Sequence, residues 1–237
     1  MRLLIHMITV LVLTSCTSTK VIKASNTIVD HELNERIVGT GSIKLLDHQL
    51  VPIDYLLKHP EQKGLLVNHY MGTGKTYLGI GFAESIPNHP VIILAPKFIE
   101  SNWMTSLANY GVKIPSRYQF VSYDDAPEKL SAIDLSKHIL LADEVHNLIK
   151  YVRSSDPEIN ARYIDLYTNL RTAYKILGLT GTPIYGDESD IAYMINLVSG
   201  KDVMPFNQES FRLAYTDVLT TRQFFRGYMS ESMFLPI

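Results

Sequence analysis

Apolar runs near residues 65 to 69, 91 to 95, 118 to 122, 138 to 142 and 176 to 180 alternate with helix-compatible stretches. Short, nearly continuous apolar runs suit strands covered on both faces, and strands that alternate with helices suit a doubly wound parallel sheet. At 237 residues and 46% hydrophobic content, the chain can bury one full α/β core and not two. The segments 45–58, 75–86, 159–172 and 190–198 are expected as helices. Within 159–172, Ile159, Tyr163, Leu166, Tyr167 and Leu170 recur at roughly helical spacing, as a core-facing stripe does. Residues 206–225 continue in helical or irregular form, and no internal repeat or low-complexity tract interrupts the pattern.

The run Leu65-Leu66-Val67 leads into His69-Tyr70-Met71-Gly72-Thr73-Gly74-Lys75-Thr76, which reads as a phosphate-binding loop between strand and helix. Gly72 and Gly74 let the backbone approach phosphate oxygens, Met71 and Thr73 complete the cradle, and the following helix offers its positive N-terminus. Lys75 is expected on the β- and γ-phosphates of ATP and Thr76 on Mg²⁺. The general loop pattern has glycine five positions before Gly74, where this chain has His69.

A second strand, His138 to Ala142, runs into Asp143-Glu144-Val145-His146. Ligands of open parallel sheets gather beside the carboxyl ends of the strands, so these carboxylates are expected to face the same nucleotide. Asp143 would hold Mg²⁺ through water and Glu144 would orient or deprotonate the attacking water. A third strand ends in Leu179-Thr180-Gly181-Thr182-Pro183, whose hydroxyls suit a coupling role between the acidic strand and the rest of the molecule. Another, Val91 to Ala95, is closed by Pro96 and followed by Lys97. Trp103, the sole tryptophan, falls on a helix and is expected as core packing.

Taken together, Gly72 to Thr76, Asp143 to His146 and Leu179 to Pro183 resemble motifs I, II and III of superfamily 2 helicases and translocases, with Thr-Gly-Thr-Pro pointing to the Snf2-like branch. Leu46-Asp47-His48-Gln49-Leu50 and Asn68-His69-Tyr70-Met71-Gly72 are similar to DNA-dependent ATPases and early transcription factor subunits of poxviruses and other large DNA viruses, a group that His69 fits. The resemblance implies a RecA-like lobe over residues 41–237. It places Gln49 at the adenine edge, Pro96 and Lys97 beside a nucleic-acid backbone, and His146 as the link from the acidic box to the neighbouring motifs. Partners implied are nucleic acid, DNA by resemblance, and transcription machinery, within host cytoplasm or virion. A second RecA-like lobe, carrying motifs V and VI and an arginine finger, does not fit within the residues after Phe225-Arg226-Gly227-Tyr228-Met229-Ser230, and is expected from a partner or a longer protein.

A formal charge of −2, from 22 basic and 24 acidic residues, gives no whole-chain attraction to nucleic acid, so such contact rests on a local patch. At the N-terminus, Leu3 to Leu13 and then Leu13-Thr14-Ser15-Cys16 match a lipoprotein signal, an arrangement at odds with an ATPase; residues 1–16 are read as signal-like or as a spurious start. Cys16 is the only cysteine, which leaves no internal disulfide. Residues 17–40 are expected as a loosely ordered lead-in. Two other functional readings stand beside the motor lobe: an ATP-gated binding module without motor action, and a lipid-anchored envelope protein with a fortuitous loop.

Overall fold

The computed structural model describes residues 33, 35, 37, 39–41, 43–181, 187, 189–215 and the backbone of 229–232. Six strands form one sheet: β1 (Gly64–His69), β2 (Val91–Ala95), β3 (Tyr118–Ser122), β4 (Ile139–Asp143), β5 (Lys175–Thr180) and β6 (Met229–Ser232). Their spatial order is β3-β2-β4-β5-β1-β6, and every pairing is parallel. The first five strands fall where the apolar runs place them. β6, which carries part of the Arg226 to Ser230 stretch, is an added edge strand paired to β1; Phe225 to Tyr228 lie outside the described residues.

Both faces of the sheet are covered, and alternation along each strand sorts side chains between them. Leu65 and Val67 of β1, Val91 and Ile93 of β2, Ile139 and Leu141 of β4, and Leu177 and Leu179 of β5 enter one core. There they meet α1 (Asp47–Lys58), α2 (Lys75–Glu84) and α3 (Glu100–Tyr110), which supply Leu50, Ile53, Leu78, Phe82, Trp103 and Tyr110. Leu66, Ile92, Leu94, Leu140, Ala142 and Ile176 point the other way. They pack under α4 (Ala126–Leu130), α5 (His146–Val152), α6 (Pro157–Leu170), α7 (Asp190–Ser199) and α8 (Gln208–Ala214). Strands with apolar residues on both sides are what two buried faces require, so the runs lack the polar alternation of a half-exposed sheet.

Helix α6 starts where local chemistry favours it. Asp156 accepts hydrogen bonds from the backbone N–H groups of Glu158 and Ile159 at 2.9 and 3.2 Å, and Pro157 takes the first helical position. Tyr163, Leu166, Tyr167 and Leu170 of the anticipated stripe are buried, whereas Ile159 in the first turn is exposed. The lead-in reaches further into the fold than its polar composition suggests. Leu33 and Ile37, one helical turn apart, are buried in the core of α1 and α2, and the Tyr110 hydroxyl donates to the Ile37 carbonyl at 2.7 Å. Among the described residues no helix is long and apolar enough to cross a membrane; the segment from Leu3 to Cys16 lies outside them.

At the amino edge of the sheet, Arg117 closes the structure away from the strand ends that carry the motifs. Its guanidinium donates to Glu84 at 2.8 Å and to the carbonyls of Ala83, Ile86 and His89, and Tyr118 donates to the same Glu84 oxygen at 2.6 Å. Both ionic side chains are under a tenth exposed. Removing one partner strands a desolvated charge, which typically costs about 3–5 kcal/mol. Arg117→Met is therefore expected to lower stability by about 3 kcal/mol in chemical denaturation, with nucleotide affinity of the folded fraction unchanged.

Candidate nucleotide site

The parallel register brings the carboxyl ends of β1, β5 and β4 to one edge, with Asn68 opposite Thr180 and Leu179 opposite Asp143. Residues far apart in sequence thereby share a crevice. The loop after β1 turns through Gly72 and Gly74 at φ 79° and 77°, left-handed values that glycine adopts without strain. Gly74 is constrained twice, since a Cβ there would lie 2.3 Å from Nε2 of Gln49.

Two residues of α1 brace this loop. Gln49 donates from Nε2 to the carbonyls of Gly74 and Thr73 at 2.9 and 3.2 Å, and its Oε1 accepts the Leu46 N–H at 2.8 Å. Nε2 of His48 lies 2.9 Å from the Thr73 carbonyl. Gln49 is buried with its amide engaged inside the protein, so the adenine contact expected of it competes with loop bonds. Thr73 closes the turn by donating its hydroxyl to the Tyr70 carbonyl at 2.7 Å. Met71 stands almost fully exposed at the tip, and Thr76 is half-buried in the first turn of α2.

The Lys75 ammonium folds back over the loop, donating to the carbonyls of His69 and Tyr70 at 2.9 and 3.2 Å. His69 occupies the position where the general pattern has glycine. It is buried, and burial, with the nearby His48 and Lys75, pulls its imidazole pKa down to about 3. The ring is thus neutral at physiological pH, and what His69 gives the loop is its carbonyl.

Across the crevice, Asp143 ends β4 almost buried. Its Oδ1 accepts the Glu144 N–H at 2.9 Å and its Oδ2 accepts the Trp103 indole N–H at 2.9 Å; its carbonyl accepts from the Tyr123 hydroxyl, also at 2.9 Å. Burial and then the Glu144 charge raise its pKa to about 6, against the pull of those two donors and of Lys75. Glu144 has φ 49°, the one described non-glycine residue with left-handed backbone. Beyond it, Nδ1 of His146 lies 3.2 Å from the Thr180 hydroxyl and 3.4 Å from a Glu144 carboxylate oxygen. Burial holds the His146 pKa below the usual value, with the Glu144 charge opposing. Gly181 leaves β5 beside the loop: a Cβ on it would stand 3.6 Å from Nζ of Lys75.

The structure thus gathers Lys75, Asp143, Glu144, His146, Thr180 and Gly181 at one edge. Thr182 lies outside the described residues. Pro96 and Lys97 stand at the same edge beyond β4, where the exposed Lys97 ammonium pairs with Glu100 at 2.5 Å. Sequence reasoning overlooked the site contacts of Trp103, Tyr123 and His48. For Trp103 a signal existed, because a buried indole N–H normally needs an acceptor and this one falls on a core face.

No protein-family model matches the chain. A "Termination factor NPH-I homolog" of African swine fever virus is 33% identical over 180 residues, covering 67% of this chain and 25% of that protein. The "Putative ATP-dependent RNA helicase L538" of Acanthamoeba polyphaga mimivirus is 29% identical over 180 residues, 74% of this chain and 37% of that protein. The chain therefore spans about a quarter of the first of these relatives and under two fifths of the second. Among solved structures, the Sulfolobus solfataricus SWI2/SNF2 ATPase core in complex with dsDNA superposes with a TM-score of 0.62 at 14% identity, over 82% of this chain and 46% of that one. Sheet order and this superposition agree that the chain has the fold of a RecA-like ATPase lobe, and in sequence it is similar to NPH-I-like and helicase-like proteins of large DNA viruses.

Proposed function

We propose that the chain is the ATP-binding lobe of a nucleic-acid-dependent ATPase of the helicase or translocase type, acting on DNA and working with a second RecA-like lobe, in cis or in trans. The observation that carries this reading is the meeting, at one sheet edge, of an ammonium on the phosphate loop, a buried carboxylate and a Glu-His-Thr cluster. Support for a nucleic-acid partner comes from the printed names of the relatives and the DNA-bound neighbour. A role in viral transcription rests on the termination-factor relative alone.

The residues present suit Mg²⁺ in kind. Thr76 and Asp143 offer hard oxygen donors, and a cation of this type is commonly held by one or two protein oxygens with the rest from phosphate and water. The desolvated Asp143 carboxylate, its pKa raised by burial, is a charge for which a cation would compensate. When bound, the ion would supply neutralisation of charge building on the phosphate oxygens. Lys75 exchanges two backbone carbonyls for phosphate oxygens, a stronger charge-assisted partner. Glu144, partly exposed at the crevice, takes the proton of the attacking water. His146 ties Glu144 to Thr180, so that β5 and the segment after it sense the state of the acidic strand. Gln49 acts on the nucleotide through the loop it braces, and reaches the adenine edge by giving up a loop carbonyl. Lys97 meets a nucleic-acid phosphate by leaving Glu100, an exposed partner that solvent screens.

Lys75→Ala is expected to abolish ATP binding measured by calorimetry; wild-type affinity in that variant would refute the assignment of the loop. Glu144→Gln should keep ATP affinity and slow single-turnover hydrolysis of bound ATP by about 10²–10³-fold, in the range for loss of a general base. Asp143→Asn should remove Mg²⁺ dependence of nucleotide binding; its NH₂ group replaces one of the two oxygens that accept N–H bonds, a loss that does not vary with pH, so the effect of removing the charge is read from how the stability difference changes with pH. The native carboxyl binds its proton more tightly than in the unfolded chain, so its contribution to stability is complete below about pH 4 and disappears as pH rises through about 6. In EDTA, the melting temperature of Asp143→Asn relative to wild type should rise by a few degrees between pH 4 and pH 7, a change of about 2 kcal/mol. A gap independent of pH would show that desolvation of this carboxylate is not its source.

A further inference from the structure

Asp143 is anchored by two donors of different reach. The Glu144 N–H belongs to the next residue and moves with the strand end. The Trp103 indole comes from α3, forty positions earlier, and is itself fully buried. A carboxylate with one donor on each oxygen cannot turn about its Cβ–Cγ bond without breaking both bonds, and inside a protein both are charge-assisted. Each oxygen keeps a lone pair free for a further partner.

The indole's position is itself determined by the elements that carry the other motifs. A Cβ on Gly79 of α2 would lie 3.1 Å from Cη2 of Trp103, 3.5 Å from a Leu179 methyl and 3.7 Å from a Leu141 methyl. Glycine at 79 therefore lets the ring pass close under the phosphate-loop helix, between side chains of β4 and β5. Any larger residue there would push the ring, and with it the donor.

We propose that Trp103 is a positioning residue of the cation site: its N–H fixes the rotation of the Asp143 carboxylate, and so presents the free lone pairs toward the crevice that Thr76 and Lys75 share. The inference deepens the nucleotide reading above and rests on it. A packing residue at 103 needs only its rings; a positioning residue needs the N–H. Loss of a partner that orients a metal-holding side chain typically lowers metal affinity 10–100-fold. Trp103→Phe keeps an aromatic ring and removes the donor. ADP affinity in EDTA should stay within about twofold of wild type for this variant, while the Mg²⁺ needed for half-maximal tightening of ADP binding rises about 10–100-fold. Leu107→Ala, one turn along the same buried helix face, should lose stability without that rise.

Because Trp103 is the only tryptophan, the ¹⁵N-labelled wild-type chain has one indole N–H resonance, a readout that requires neither turnover nor a folded Phe variant. Slow exchange with solvent, movement on adding Mg²⁺ with ADP, and an upfield shift in Asp143→Asn, where the acceptor loses its charge, are the expected results. The proposal is overturned if the Phe variant matches wild type in Mg²⁺ requirement, if Leu107→Ala shifts it equally, or if the indole resonance ignores both the ligand and the Asn substitution. Wild-type protein that binds ADP identically with and without Mg²⁺ would sink the cation site and this proposal with it, whereas wild-type protein with no affinity for ADP would sink the nucleotide reading.

Discussion

The buried Asp143 carboxylate at the end of β4 is the constraint around which this edge of the protein is arranged. Moving a carboxylate out of water is costly, and each surrounding feature reduces that cost: the indole below, the backbone N–H beside it, and an ammonium across the crevice. These donors do not restore an ordinary pKa, so the site retains an electrostatic demand for positive charge. Parallel strands make that demand useful, because they deliver the phosphate loop and the Thr180 strand to the same edge in fixed register.

The resting loop has its own internal economy of bonds. Carbonyls of His69, Tyr70, Thr73 and Gly74 are satisfied by Lys75, Gln49 and the Thr73 hydroxyl, with His48 also against Thr73, so the turn is held before any anion arrives. Preorganisation of this kind lowers the ordering cost of binding. The histidine in place of glycine fits the scheme, since a neutral, buried ring fills the base of the loop without adding charge.

The fold was legible because its strands are buried twice over. Runs such as Val91 to Ala95 and His138 to Ala142 leave little room for another reading; the first is observed at its expected limits and the second is shifted by one residue. The edge strand at Met229 was not legible, as its pairing with β1 depends on partners far away in the chain. Leu33 and Ile37 were hidden in polar surroundings for the same reason. In the site, glycines and carboxylates announced themselves through short spacing, whereas Trp103 and Tyr123 reach Asp143 only through tertiary packing. Gln49 illustrates a subtler limit: its position was flagged, but a motif does not say which of several acceptors an amide will choose.

Glu144 carries a structural tension of a different sort. A residue with a Cβ in the left-handed region stores about 1 kcal/mol or more of backbone strain, and asparagine or glycine would relieve it. Neither would place a carboxylate at the mouth of the crevice beside His146. The bend after β4 therefore marks a position where the chain forgoes conformational comfort in order to aim a side chain, and replacements that make this turn easier to form would blunt the residue's reach.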